Sequence, residues 1–278
     1  MLNIAVALDV FYPNADALIF GCALAKLTQG KVTGIFLENL EYAFKPVVKN
    51  LNNAPYIETV LTTDIPSNQE KRKACEMAIV MFNETCKSKN VWHNIHIDCG
   101  IPAEELITES RFADVIIADA MMSFSKKTTG EPSRFVKDIL ADSECPVIIS
   151  SSNFKEIDEI VFAYDGSASA MFAIKQFTYI FPGLKEKKLQ LFEVNNDGFT
   201  LKYQHKIKEW VKNHYASVEL KVKEGNINDE LFTSLLTKEN SIVVMGAYGR
   251  GWLSKLFHKS TADVILETLN VPVFIAHR

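Results

Sequence analysis

The chain has 278 residues, 47% of them hydrophobic and 23% charged, with a formal net charge of -4. That balance fits a globular protein with a sizeable core, and it excludes a nucleic-acid or anionic-membrane binder driven by bulk charge. No apolar run is long enough to span a bilayer, and residues 1–9 reach a charged side chain, Asp9, with no basic region before it, so the expectation is a cytoplasmic protein without a membrane partner.

The five cysteines, Cys22, Cys75, Cys86, Cys99 and Cys145, form no C-x-x-C pair. Their odd number argues against a closed disulfide set and for free thiols.

Taken in order, residues 3–8 read as a strand ending at Asp9, residues 15–27 as a helix and residues 31–37 as a second strand. Residues 38–69 hold Pro46, Pro55 and Pro66 and read as a long excursion, with a short helix near residues 42–51. A long helix follows at 70–87, a third strand at 94–99, and a helix opened by Gly100-Ile101-Pro102 with Glu104 and Glu105 in its first turn. Residues 114–118 form a fourth strand, 133–141 a helix and 146–150 a fifth strand.

The pattern then restarts. A strand at 159–164 ends at Asp165, and Gly166-Ser167 opens a helix. Strands at 188–194 and 217–223 alternate with helices at 201–213 and 228–237. A fourth strand at 242–245 runs into Gly246, and a helix from Ser260 leads to a fifth strand at 271–276. Landmarks align between the halves: Asp9 with Asp165, Gly100 with Gly225, and Cys145-Pro146-Val147-Ile148 with Val271-Pro272-Val273-Phe274. The expected fold is therefore α/β, in two tandem doubly wound domains of five parallel strands, residues 1–152 and 153–278.

The chemistry concentrates after the fourth strand of the second half. Gly246 and Gly249 let the backbone turn and approach a ligand closely, and Ser260-Thr261 stand at a helix N-terminus, where free N–H groups and the dipole suit an anion. This stretch resembles the signature of the universal stress protein family. Nucleotide-binding members of that family carry Gly, two residues, Gly, nine residues, Gly, then Ser or Thr. Gly246, Gly249 and Ser260 match at that spacing, and Lys259 stands where the third glycine belongs. With Asp9, Gly100-Ile101-Pro102 and the closing Cys-Pro-Val-Ile strand of the first half, the resemblance covers nearly the whole chain.

The resemblance implies an adenine nucleotide-binding, Rossmann-like fold whose two halves pack like a dimer within one chain, through their last strands. A further homodimer is compatible with it. It implies a stress-response regulator binding ATP or another adenine nucleotide, with Mg, in the second half. Asp165 and Val194 would face the adenosine, and Met245, Gly246, Gly249, Arg250, Lys259, Ser260 and Thr261 the phosphates. The competing reading of Asp165 is a turn or N-cap residue, and of the two glycines a turn kept for backbone reasons. In the first half the aligned positions are Asp119, Met122 and Pro132 before Ser133, so no ATP is expected there. No catalytic set and no metal site is legible. His93 and His96 sit on opposite faces of a strand, and at most slow ATP turnover is expected. Two other readings stay open: an interaction scaffold that works through protein partners without nucleotide, and an adenylate-forming enzyme of related fold. The latter needs a Ser-Gly-Gly type loop where this chain has Asp165-Gly166-Ser167-Ala168-Ser169.

Overall fold

A computed structural model describes residues 1–10, 15–37, 47–51, 54–58, 66–98, 100–120, 122, 124, 133–152, 154–195, 198–246 and 271–276. The first part of the chain forms β1 (Asn3–Leu8), α1 (Ala15–Thr28), β2 (Lys31–Leu37), β3 (Val47–Leu51), β4 (Ala54–Glu58), α2 (Pro66–Ser88), β5 (Trp92–Asp98), α3 (Pro102–Ser110), β6 (Val115–Asp119), α4 (Arg134–Asp142) and β7 (Val147–Ser150). The remainder forms β8 (Glu159–Ala163), α5 (Ala168–Ile180), β9 (Lys188–Asn195), α6 (Gln204–His214), β10 (Ser217–Glu224), α7 (Ile227–Leu236), β11 (Ser241–Gly246) and β12 (Val273–Ala276).

Ten of these strands make one sheet, in the order β10-β9-β8-β11-β12-β7-β6-β1-β2-β5. Every pairing in it is parallel except the central one, where β12 runs antiparallel to β7 with Phe274 opposite Ile148. The expected pair of separate five-stranded sheets is thus one continuous, mostly parallel α/β sheet. From either edge inward the strands follow the same order: β5-β2-β1-β6-β7 on one side, β10-β9-β8-β11-β12 on the other.

The inner strands are largely apolar on both faces because helices cover both faces, while the edge strands β5 and β10 are more polar and partly exposed. Along β1, Ile4, Val6 and Leu8 join one core with α1, α2, α5 and α6, while Ala5 and Ala7 join the other with α3, α4 and α7. β11 divides the same way, with Ile242 and Val244 on the first face and Val243 and Met245 on the second. The first core reaches both edge strands, the second runs from β2 to β9, and both cross the β7·β12 junction.

Local signals set the helix starts. Ser133 and Ser167 cap α4 and α5, accepting from Val136 N at 3.2 Å and Ala170 N at 3.0 Å. Pro102 and the acids Glu104 and Glu105 occupy the first turn of α3.

Residues 38–69 correct the sequence reading. The short helix expected near 42–51 gives way at 47–51 to β3, which pairs antiparallel with β4, Val47 opposite Glu58. Its two consecutive valines favour an extended backbone over a helical turn. Helix α2 begins at Pro66 rather than residue 70, since proline suits the first helical turn, where its missing N–H costs no bond. The helix expected from Ser260 lies outside the described residues.

Candidate functional site

In a doubly wound sheet, ligands gather beyond the carboxyl ends of the strands where the winding reverses. In the second half that point lies between β8 and β11. Asp165 follows β8 after Tyr164, whose N–H donates to Phe192 O at 2.9 Å and extends the β8·β9 pairing. Gly246 closes β11. The two meet at the start of α5. Asp165 Oδ1 accepts from Ser167 N at 2.8 Å, so the carboxylate does set the turn into α5. Among the described residues no group bonds its other oxygen.

Gly246 has a structural duty of its own. A Cβ placed there would meet Ser169 Oγ at 2.4 Å, Ser169 C at 2.5 Å and Ala170 N at 2.7 Å. The first turn of α5 therefore rests directly on the end of β11, a contact that only glycine permits. Val194 and Met245 are brought to the same corner by backbone, but their side chains are buried with Phe192 and Val243 in the core of the opposite face. Gly249, Arg250, Lys259, Ser260 and Thr261 lie outside the described residues.

Sequence reasoning missed a second carboxylate here. Glu193 is buried, beside Tyr164 and Asp165. Its Oε2 accepts from Lys202 N at 2.9 Å, and its Oε1 from Asn195 Nδ2 at 3.4 Å. Burial raises its pKa; the bonds from Lys202 N and Asn195 oppose the rise, and the charge of Asp165 adds to it. Tyr164 OH donates to Lys202 O at 3.0 Å, and its own pKa is pushed up to about 12 by burial and then by Glu193 and Asp165. Asn195 accepts from Gly198 N and donates to Thr200 O, each at 2.8 Å. Together these bonds lash residues 198–202 over the turn after β8. The Lys202 stem lies so close to Gly166, at φ +72°, that a Cβ there would meet Lys202 Cδ at 2.5 Å. A signal existed in the sequence: Glu193 shares a strand face with Leu189 and Leu191, a position that alternation assigns to the interior.

The equivalent corner of the first half, between β1 and β6, is filled by the chain itself. Asp9 is buried and its Oδ2 accepts from Phe124 N at 3.2 Å. Met122 and Phe124 are buried, and the Phe124 ring meets Phe135 edge to face, centroids 4.8 Å apart. Ser133 Oγ, which caps α4, also donates to Met122 O. Asp119 ends β6 where Gly246 ends β11. Pro132 lies outside the described residues.

No group of three or more His, Cys, Asp or Glu side chains that could hold a metal occurs among the described residues. His93 Nε2 lies 3.0 Å from Asn83 Oδ1 of α2, and His96 Nδ1 lies 2.9 Å from Glu109 Oε2 of α3, so the two rings serve opposite faces of the sheet. No described helix is long and apolar enough to cross a membrane.

Neither a protein-family model nor a curated protein matches the chain. Solved structures do. A universal stress protein from Archaeoglobus fulgidus DSM 4304 superimposes with a TM-score of 0.71 at 17% identity, over 99% of this chain and 98% of that one. A putative universal stress protein from Pseudomonas aeruginosa UCBPP-PA14 gives 0.57 at 13% identity, covering 99% and 92%. A functionally unknown protein from Pseudomonas aeruginosa PAO1 gives 0.58, also at 13%, with the same coverage. The chain has the universal stress protein fold along its whole length.

Proposed function

We propose that the chain is a tandem universal stress protein, residues 1–152 and 153–278, acting as a cytoplasmic stress-response regulator. Its second half binds ATP or another adenine nucleotide, with Mg2+ accompanying the phosphates. Three repeated details support two copies. Gly100 packs against Glu105 and Gly225 against Glu230, five residues on in each case. Glu105 N donates to Ile101 O as Glu230 N does to Asn226 O. Ile116 N donates to Pro146 O and Val243 N to Pro272 O, both at 3.0 Å.

The observation that carries the ligand reading is the place of Asp165: its carboxylate follows β8 at the point where the winding reverses, and among the described residues one of its oxygens is engaged, accepting from Ser167 N. A carboxylate there accepts hydrogen bonds from a base or ribose. The glycine run and Ser260-Thr261 would supply N–H groups to phosphate. The reading includes at most slow ATP turnover, since no catalytic set is legible in the sequence. An adenylate-forming role is less well supported: the turn after β8 has a single glycine, and the Lys202 stem covers it.

Calorimetry with ATP and Mg2+ tests this. Saturable binding is expected for the full chain, weakened by Asp165→Ala and by Ser260→Ala. Absence of heat at millimolar nucleotide overturns the reading.

A further inference from the structure

A groove of about 640 Å³ opens between α3 and α4, beside the filled corner of the first half. Its apolar floor is the Phe124–Phe135 pair with Ile107, and Ile101 at its mouth is 60% exposed. Its walls are acidic. Glu104 stands on α3, and Asp138 and Asp142 stand one turn apart on α4. Among the described residues one cation, Arg134, lines the groove, and its Nε lies 3.6 Å from Asp138 Oδ2, which leaves the described lining net negative. Helix α3 itself carries three glutamates and no basic residue.

An apolar trough between acidic rails is complementary to a helix that is apolar on one face and basic along its edges. Phosphate ligands are disfavoured there by the same carboxylates. We propose that this groove docks a basic amphipathic helix of another protein, its apolar side chains on Phe135 and Ile107 and its cations on Glu104, Asp138 and Asp142. The first half would then serve protein recognition, independently of any nucleotide in the second.

The probe is a synthetic helical peptide with Leu at the a and d heptad positions and Lys elsewhere, compared with its Leu/Glu counterpart, each titrated against the full chain by fluorescence anisotropy. Saturable binding of the Lys peptide alone, weakened by salt, is expected. Asp138→Lys with Asp142→Lys should weaken it about tenfold, as two rim charges of modest individual worth would. Ile107→Asp should remove it, and near-ultraviolet circular dichroism checks that both variants keep their packing. Equal binding by the charge-reversed variant, or binding of the Glu peptide, overturns the proposal. So does sedimentation showing a dimer that Ile107→Asp dissolves, which would assign the groove to a second copy of the chain.

Discussion

Gly246 of β11 and Ser169 of α5 stand in direct contact, with no room between them for a methyl group. Two of the three nearest atoms are backbone, C of Ser169 and N of Ala170, so the crowding cannot be relieved by turning a side chain. Gly246→Ala should therefore destabilise the chain by about 1–3 kcal/mol, toward the upper end. For a chain of this size that lowers the melting temperature by roughly 2–4 °C per kcal/mol, readable by calorimetry.

Asp9 closes the first corner as Ser169 and Gly246 shape the second. Replacing it with Ala leaves the buried Phe124 N–H without its carboxylate acceptor. A loss of about 1–3 kcal/mol is expected from the lower urea midpoint. Nucleotide affinity, measured on the same variant, should not change, because the second corner is untouched.

Two glutamates should give opposite pH signatures. Burial pushes Glu159 up, but hydrogen bonds from Lys238 and Lys188 and their charges outweigh it and hold its pKa below the usual value. Its stabilising effect is therefore present above the ordinary glutamate pKa and is lost as pH falls through the lowered one. Glu193 is the reverse. Its raised pKa means that its charge costs stability at neutral pH, and the cost is relieved as pH falls through that raised value. Urea midpoints from about pH 4 to about pH 7 should show Glu159→Gln losing stability chiefly at the neutral end. Glu193→Gln, which can still accept from Lys202 N, should hold or gain there. Parallel pH curves for both variants and the parent would contradict this.

Phe274 sits on the antiparallel junction opposite Ile148 and packs on Phe177, centroids 5.2 Å apart, and on Phe181 at 6.3 Å. Phe274→Ala should cost about 3–5 kcal/mol. Because both cores cross the junction, unfolding should remain a single transition at lower denaturant, with no half persisting after the other melts. Circular dichroism and tryptophan fluorescence followed together test this, since Trp92 lies in the first half and Trp210 in the second.

Thiol alkylation tests the cysteine reading. Cys22 and Cys86 are buried with their sulfurs 3.9 Å apart, Cys75 is buried, and burial pushes the Cys145 thiol up to about 12. Under native conditions Cys22, Cys75 and Cys86 should label only as fast as the chain opens, and half-buried Cys145 slowly because its thiol stays protonated; mass spectrometry of timed quenches measures these rates.

The parallel order and the alternation of strands and helices were legible because each rests on local signals: apolar runs, glycine stops and serine caps such as Ser167. The hairpin at β3 and β4 was not, since prolines and asparagines mark an excursion without saying how it pairs. The join between β7 and β12 was anticipated only through resemblance, as strand pairing across such a separation leaves no periodic trace. At the candidate site, Asp165 stood out by position at a strand end, but its neighbour Glu193 lies inside a strand that also carries Lys188, Gln190 and Asn195, where one more polar side chain is inconspicuous. The duty of Gly246 toward Ser169 is a fact of helix-to-sheet distance, which no spacing in the sequence encodes.

The antiparallel seam has a geometric corollary. Reversal at β7 and β12 turns the strand ends of one half toward one rim of the sheet and those of the other half toward the far rim. A protein seated between α3 and α4 would thus leave the Asp165 side open to solvent. Any cross-talk between the two would have to pass through shared interior packing rather than through occupants touching.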